Sequence, residues 1–265
     1  MSNDTVLKMR TRAREMLASG EVTQVLAWEA GEFPNYPAPA FFKDENACGR
    51  ILYDRFCTAN LSKFMIEASR NEGKTLVFLR PCDAYSLTQL IKENQVNREK
   101  AYIIGVGCEG CVTVYEGEEC GLLESCLVCI KTDYPIYDEL IGTENNPRTA
   151  TTGTERFEGV TRVEETDASA RYGFWQTQLS RCIRCNACRN ICPTCHCKVC
   201  MLDKESLTNP PNPLENKFFH VIRAYHQNGR CTDCGQCARV CPQGIPLQLL
   251  NRKLIKAYKP VEVQP

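Results

Sequence analysis

Two copies of one closely spaced cysteine pattern constrain this chain more than any other feature of its sequence. Each copy reads C-x2-C-x2-C-x3-C-P. In such a pattern three thiolates can bind one iron–sulfur cube, while the fourth ligates the other cluster of a two-cluster protein. We therefore predict two [4Fe–4S] clusters that exchange their fourth ligands. Cluster 1 takes Cys182, Cys185, Cys188 and Cys241, and cluster 2 takes Cys231, Cys234, Cys237 and Cys192.

The number and distribution of the cysteines support this prediction over two alternatives. Eleven of the 19 cysteines lie between Cys182 and Cys241, which is too dense for scattered packing thiols. Disulfides are typical of secreted chains, and an odd count fits them poorly. Zinc sites usually separate two C-x2-C pairs by a longer loop than either motif contains. The pattern therefore favours iron–sulfur clusters over zinc.

The charge and hydropathy of the chain exclude several other classes of function. Its formal net charge is zero, and no block of like charge predicts nucleic-acid binding. The segment Met1–Gly20 is charged throughout and lacks the apolar stretch of a secretory signal. No apolar run approaches the roughly 18 residues that span a bilayer. These features predict a cytoplasmic protein with no direct membrane insertion.

The N-terminal half carries the pattern of an α/β fold. Thr75–Arg80 and Ala101–Val106 are short apolar strands, and between them lies a helix that Asp83 could cap. Such a β-α-β unit predicts parallel strands with a right-handed crossover. From Trp175 onward the apolar positions recur at helical spacing.

This organisation predicts an α/β N-terminal domain followed by an all-α dicluster ferredoxin domain. The polar stretch 142–170 is the boundary region, although the part around Val160–Val163 could form one more strand. The predicted segments are an N-terminal helix and connector over 1–45, the α/β domain over 46–170 and the ferredoxin domain over 171–265.

Four cysteines of the α/β domain predict a third [4Fe–4S] cluster. Cys82 and Cys108 each follow a predicted parallel strand by two residues, so both lie at the sheet edge where α/β folds bind ligands. The C-x2-C pair Cys126 and Cys129 can close this site. Cys111 and Cys120 are the substitutes for any of these four. The alternative is two buried core cysteines and a separate redox pair.

Several other motifs remain open or are declined. Residues 105–110 satisfy G-x-G-x-x-G, but the segment that follows is β-like and acidic, which disfavours dinucleotide binding. Its glycines more readily let the backbone approach a cluster. Three further cysteines, Cys195, Cys197 and Cys200, are either packing thiols or part of a fourth site. That site would need Cys48 or Cys57.

Both halves resemble known families. The segments RPCD at 80–83, IGVGCEG at 104–110 and Cys126–Cys129 resemble the beta-subunit family of coenzyme F420 hydrogenases and dehydrogenases. Residues 175–258, with the turn CPQGIP at 241–246, resemble the α-helical ferredoxin domains of succinate dehydrogenase iron–sulfur subunits and heterodisulfide reductase small subunits. Members of the first family bind an iron–sulfur cluster, and some bind flavin and F420. This chain shows no flavin-phosphate loop, so the sequence favours clusters over flavin.

The expected function is electron relay within an anaerobic multi-subunit oxidoreductase. The resemblance implies a hydrogenase, formate dehydrogenase or heterodisulfide-reductase-like complex, whose catalytic dehydrogenase, hydrogenase or flavin subunit performs the chemistry. One alternative is a flavin- or deazaflavin-dependent subunit with its own catalytic site in the N-terminal domain. A second is a structural or nucleic-acid-binding protein, which the neutral charge disfavours.

Overall fold

The computed structural model describes residues 3–115, 117–143, 156–203 and 212–257. The chain divides into two compact units, the first ending at residue 153 and the second beginning at 154. The sequence instead assigned residues up to 170 to the α/β domain. The first helix after residue 156 belongs to the second unit, because it packs against the last helix that the structure describes.

The first unit is an α/β unit built on a five-stranded sheet. Its helices are α1 (Asn3–Ala18), α2 (Met65–Ala68), α3 (Pro81–Lys92) and α4 (Glu124–Leu127). Its strands are β1 (Gln24–Glu29), β2 (Ala38–Phe42), β3 (Thr75–Leu79), β4 (Ala101–Val106), β5 (Val112–Tyr115), β6 (Glu118–Leu122) and β7 (Glu139–Ile141). Strands β5 and β6 form a separate antiparallel hairpin.

The sheet has the strand order β2-β1-β3-β4-β7, in which β1, β3, β4 and β7 run parallel. All five residues of β3 are buried, as expected for a central strand that is covered on both faces. The predicted β-α-β unit is confirmed, with Thr75 of β3 paired in parallel with Ala101 of β4. Helix α3 begins at Pro81 rather than at Asp83, whose carboxylate accepts a hydrogen bond from the Arg80 backbone N–H.

The segment 1–45 contributes to this sheet and its cover. Helix α1, in the segment where the sequence predicted an N-terminal helix, buries Met9, Ala13 and Met16. The stretch that the sequence treated as a connector contains β2, an antiparallel edge strand. Pro39 lies within β2, where an edge position tolerates a residue that lacks a backbone N–H.

The described part of the second unit is built from helices. They are α5 (Glu158–Glu164), α6 (Ala168–Ser180), α7 (Ala187–Asn190), α8 (Pro213–His226), α9 (Gln236–Arg239) and α10 (Leu247–Ala257), with a short 3-10 turn at Met201–Asp203. The strand that the sequence allowed around Val160–Val163 is wrong, because these residues lie in α5, where Val160 is buried. Among the described residues, no helix has the length and apolar character needed to cross a membrane.

Candidate metal centres

Two cavities in the second unit are each lined by four cysteines. The first is lined by Cys182, Cys185, Cys188 and Cys241. The second is lined by Cys192, Cys231, Cys234 and Cys237. Each cavity therefore draws three cysteines from one motif and the fourth cysteine from the other, which is the grouping that the spacing predicts.

The two motifs reach this geometry through the same backbone conformation. In the first, Arg184 and Asn186 flank the second cysteine with φ of 57° and 59°. In the second, Asp233 and Gly235 occupy the same places with φ of 54° and 74°. A left-handed residue on each side of a cysteine turns the chain sharply, so that neighbouring thiols can face one point. The third cysteine of each motif then lies in a one-turn helix, α7 or α9.

The residues around the two cavities fit a cluster better than a single ion. A zinc ion needs its ligands within about 2.3 Å of one centre. A cavity walled by four sulfurs suits the larger iron–sulfur cube, whose ligands are thiolates. Both cavities therefore fit a [4Fe–4S] cluster.

Arg223 contacts cysteines of both cavities. It is buried on α8 and donates a hydrogen bond to the Cys188 carbonyl at 3.1 Å. Burial lowers the pKa of Arg223, but negative charge at Cys237 and Cys192 outweighs it, so the pKa is raised above the ordinary value. The side chain is therefore a buried cation between the two sets of thiols. Sequence reasoning did not identify Arg223, since no local motif marks it.

A buried polar network surrounds Cys192, the cysteine that joins the second cavity from the first motif. The Thr194 hydroxyl lies 3.4 Å from Cys192 Sγ and hydrogen-bonds to Gln227 Oε1. Gln227 Nε2 donates to Cys195 Sγ at 3.1 Å. A hydrogen bond from Cys195 outweighs burial and lowers the pKa of Cys192 well below the ordinary value of a thiol. Cys195 thus contacts a predicted ligand, although it does not itself line the cavity described above.

A third group of cysteines meets in the first unit. Cys82 lies in the first turn of α3, and Cys108 follows the end of β4 by two residues. Both lie at the same edge of the parallel sheet. Burial, the nearby Asp83 and the negative charges of Cys108 and Cys126 raise the pKa of Cys82 well above its ordinary value, although Arg80 opposes them. Three of the four cysteines predicted for this site are therefore close enough to interact.

The fourth member of this group is Cys111. Its backbone N–H donates to Cys126 Sγ at 3.4 Å, and its own thiol accepts a hydrogen bond from Arg80 at 2.9 Å. The β5–β6 hairpin begins just after Cys111 and returns the chain to it, because the Leu123 N–H bonds to the Cys111 carbonyl. Cys126, which follows shortly after, therefore lies beside Cys111. The sequence named Cys111 as a substitute. Cys129, which it preferred, instead contacts the Lys131 carbonyl, at 3.9 Å from Sγ.

Arg80 anchors the third group of cysteines in the core. Its side chain is 2% exposed and pairs with the carboxylate of Asp83 at 2.8 Å. It also donates to the carbonyls of Cys57 and Ala59 and lies 5.1 Å from the Trp28 ring centroid. The RPCD segment therefore supplies a thiol, a buried cation and the carboxylate that balances it.

The remaining cysteines and the glycine motif have other surroundings. Cys48 and Cys57 are fully buried in the core of the first unit, whereas Cys120 and Cys197 are exposed. A Cβ at Gly107 would lie 1.9 Å from the Gly142 carbonyl oxygen. This glycine therefore allows a close backbone approach at the strand end, where the sequence had suggested an approach to a cluster. No helix opens after the motif, since β5 follows it.

Comparison with known proteins supports the cluster interpretation. Residues 178–245 match the model of the 4Fe-4S dicluster domain. The F420-dependent formate dehydrogenase subunit beta of Methanocaldococcus jannaschii is 39% identical over 84 residues, which cover 30% of this chain and 21% of that protein. The F420-dependent formate dehydrogenase 1 subunit beta of Methanococcus maripaludis is 36% identical over 55 residues, covering 20% and 13%. This chain thus spans about a fifth or less of each relative's length.

One solved structure is also similar to this chain. It is the F420-reducing [NiFe] hydrogenase complex from Methanosarcina barkeri, studied by xenon derivatization. The TM-score is 0.35 at 16% identity, over 49% of this chain and 58% of that one. The sequence matches to the formate dehydrogenase subunits confirm the predicted resemblance to beta subunits of F420-dependent enzymes. The match to the dicluster domain supports iron–sulfur clusters in this chain.

Proposed function

We propose that this chain is an iron–sulfur electron-transfer subunit that relays electrons within an anaerobic multi-subunit oxidoreductase. The observation that carries the proposal is the pair of four-cysteine cavities, which share ligands between the two motifs. A [4Fe–4S] cluster, when bound, takes up and releases one electron. Everything else that the relay needs is the work of the surrounding residues, which hold the thiolates, exclude water and supply charge.

The proposed ligands of cluster 1 are Cys182, Cys185, Cys188 and Cys241. Those of cluster 2 are Cys192, Cys231, Cys234 and Cys237. The domain that holds them is proposed to be a helical ferredoxin, since its described elements are helices and its motifs are joined by the long helix α8.

The surroundings of the two cavities differ, which suits a relay whose stations have different reduction potentials. The first has an apolar wall that includes Ile183, Phe219 and Leu247. The second has a more polar wall that includes Thr194, Gln248 and Asn251. Hydrogen bonds to sulfur and exclusion of solvent are two of the means by which a protein sets the potential of a cluster.

We further propose that the first unit binds a third [4Fe–4S] cluster. Its ligands are Cys82, Cys108, Cys111 and Cys126. The exchange of Cys111 for Cys129 rests on the contact between Cys111 and Cys126 and on the hydrogen bond from Arg80. A buried arginine beside a thiol favours the thiolate that a metal requires.

The proposed partners are the catalytic dehydrogenase, hydrogenase or flavin subunits of a redox complex. The relatives that support this are beta subunits of formate dehydrogenases, whose names describe them as F420-dependent. We propose a cytoplasmic location, because a reducing compartment keeps cysteine thiols available to iron–sulfur clusters instead of oxidising them to disulfides.

Iron and sulfide analysis of the anaerobically purified chain tests the proposed function. We expect about twelve irons and twelve sulfides per chain, as three [4Fe–4S] clusters require. Electron paramagnetic resonance of the reduced protein should show interacting cubane signals. About eight irons per chain would correspond to two clusters and would contradict the third. Stoichiometric zinc in place of iron would overturn the function itself.

The ligand set of the third cluster makes a separate prediction. Replacing Cys111 with alanine is expected to lower the iron content from about twelve to about eight per chain. Replacing Cys129 with alanine is expected to leave the iron content unchanged, because its thiol contacts only a carbonyl in the described structure. The two variants are matched controls for one another. The reverse outcome would restore the ligand set that the sequence preferred.

A further inference from the structure

His220 is a buried imidazole that faces the cluster 1 cavity. It lies on α8, is 2% exposed, and is one of the residues that line this cavity together with the four cysteines. Neither Nδ1 nor Nε2 has a hydrogen-bond partner within the described part of the chain. A buried polar group without a partner is costly, and native structures rarely leave one unsatisfied. We therefore expect a hydrogen-bond partner for His220 inside the cavity that it lines.

The surroundings of His220 keep its ring neutral. Burial, together with the positive charges of Arg223 and Arg184, lowers the pKa of His220 to about 4. A neutral imidazole has one N–H donor and one acceptor nitrogen. The Phe219 ring packs edge-on against it, with centroids 5.0 Å apart. The ring is thus held in place with one N–H to donate.

The cavity offers sulfur and two amide side chains, Asn186 and Gln243, as possible acceptors. Asn186 Oδ1 has no hydrogen-bond partner among the described residues, so it does not accept from His220, and sulfur is the acceptor that the proposal takes. The four cysteines are its only ionisable side chains besides His220 among the described lining residues, and much of the rest of the wall is apolar. Thiolate and cluster sulfur accept hydrogen bonds, and such bonds raise the reduction potential of a cluster because they stabilise its more negative, reduced form.

We propose that His220 donates a hydrogen bond to cluster 1 and thereby raises its reduction potential. This inference rests on the proposed function, since it requires a cluster in the first cavity. It concerns a residue that lies outside both cysteine motifs. His220 acts through the cluster and is not itself a ligand, because the four cysteines complete the ligand set.

Pulsed electron paramagnetic resonance of the reduced, full-length protein tests the contact directly. With ¹⁵N-labelled histidine, we expect a ¹⁵N coupling to a reduced cluster. The coupling should disappear in His220→Gln, while iron content stays unchanged. The chain has only three histidines, and the other two, His196 and His226, remain as internal controls in this variant. A wild-type protein that contains cluster 1 but shows no histidine coupling would overturn the inference.

Potentiometric titration supplies the second measurement. His220→Phe is expected to shift the reduction equilibrium of cluster 1 about tenfold towards the oxidised form, which is about 59 mV for a one-electron couple. His220→Gln keeps an N–H donor, so its cluster 1 potential should lie close to that of the wild type. Equal potentials for wild type and His220→Phe would contradict the proposal. If His220→Phe fails to assemble cluster 1, the proposal is tested by the ¹⁵N coupling in the wild type alone: its presence supports the hydrogen bond, and its absence contradicts it.

The failure of this inference is distinguishable from the failure of the proposed function. Iron and sulfide counts on the wild type show first whether cluster 1 is present. If it is absent, the proposed function fails. If it is present and the coupling and the shift are missing, only the role of His220 fails.

Discussion

Replacing Cys192 with alanine is expected to remove the cluster that the second motif holds, although Cys192 belongs to the first motif. The reason is geometric, because Cys192 lines the cavity of Cys231, Cys234 and Cys237. Iron should fall from about twelve to about eight per chain, and one cubane signal should vanish. The measurement is iron analysis combined with electron paramagnetic resonance of the reduced variant.

Double variants test the exchange of ligands without assigning any signal to a cluster. If Cys192 and Cys231 serve one cluster, the variant that lacks both should keep as much iron as either single variant. The variant that lacks Cys192 and Cys182 should lose a second cluster and retain about four irons. Uncrossed ligation predicts the opposite ranking of these two double variants. That ranking would refute the proposed ligand sets.

Replacing Arg80 with methionine is expected to destabilise the first unit by about 3–5 kcal/mol. The substitution leaves the carboxylate of Asp83 buried without its cation, since both side chains are at most 3% exposed. It also removes the donor to the Cys57 and Ala59 carbonyls and to Cys111 Sγ. Arg80→Lys should recover little of this lost stability, because an ammonium group cannot reproduce the planar, forked geometry of the guanidinium.

The measurement is equilibrium urea unfolding under anaerobic conditions, followed by the fluorescence of Trp28. This ring is buried next to Arg80, and Trp175 is replaced by phenylalanine so that the first unit alone is reported. Arg50→Met is the matched control, because the Arg50–Glu29 pair leaves Arg50 64% exposed. It should cost at most about 1 kcal/mol. Equal losses for the two variants would show that the buried pair has no special role.

Local sequence patterns were informative wherever the determining interactions are short in range. The cysteine spacing predicted which four thiols share each cavity of the second unit, because the turn around each motif depends on a few adjacent residues. The strands β3 and β4 and the helix between them were predicted for the same reason. By contrast, β1 pairs with β3 and β7 pairs with β4 from distant parts of the chain. No local pattern indicated the places of β1 and β7 in the sheet.

The third group of cysteines shows where such patterns become insufficient. The C-x2-C pair suggested that Cys126 and Cys129 act together. In the structure, α4 ends at Leu127, and the β5–β6 hairpin places Cys126 next to Cys111, which the sequence had named as a substitute. The partner of Cys126 depends on hairpin register, which neighbouring residues do not reveal.

The sequence by itself determined that this chain carries two ferredoxin-type motifs and how their eight cysteines divide between two cavities, since cysteine spacing is a local property of the backbone. Only the tertiary structure decided which other side chains meet those sulfurs. His220 and Arg223 lie one turn apart on α8, and both are buried because that face of the helix packs inward. Helix packing therefore determines which other side chains lie near each cavity, whereas the spacing of the motif determines which cysteines line it.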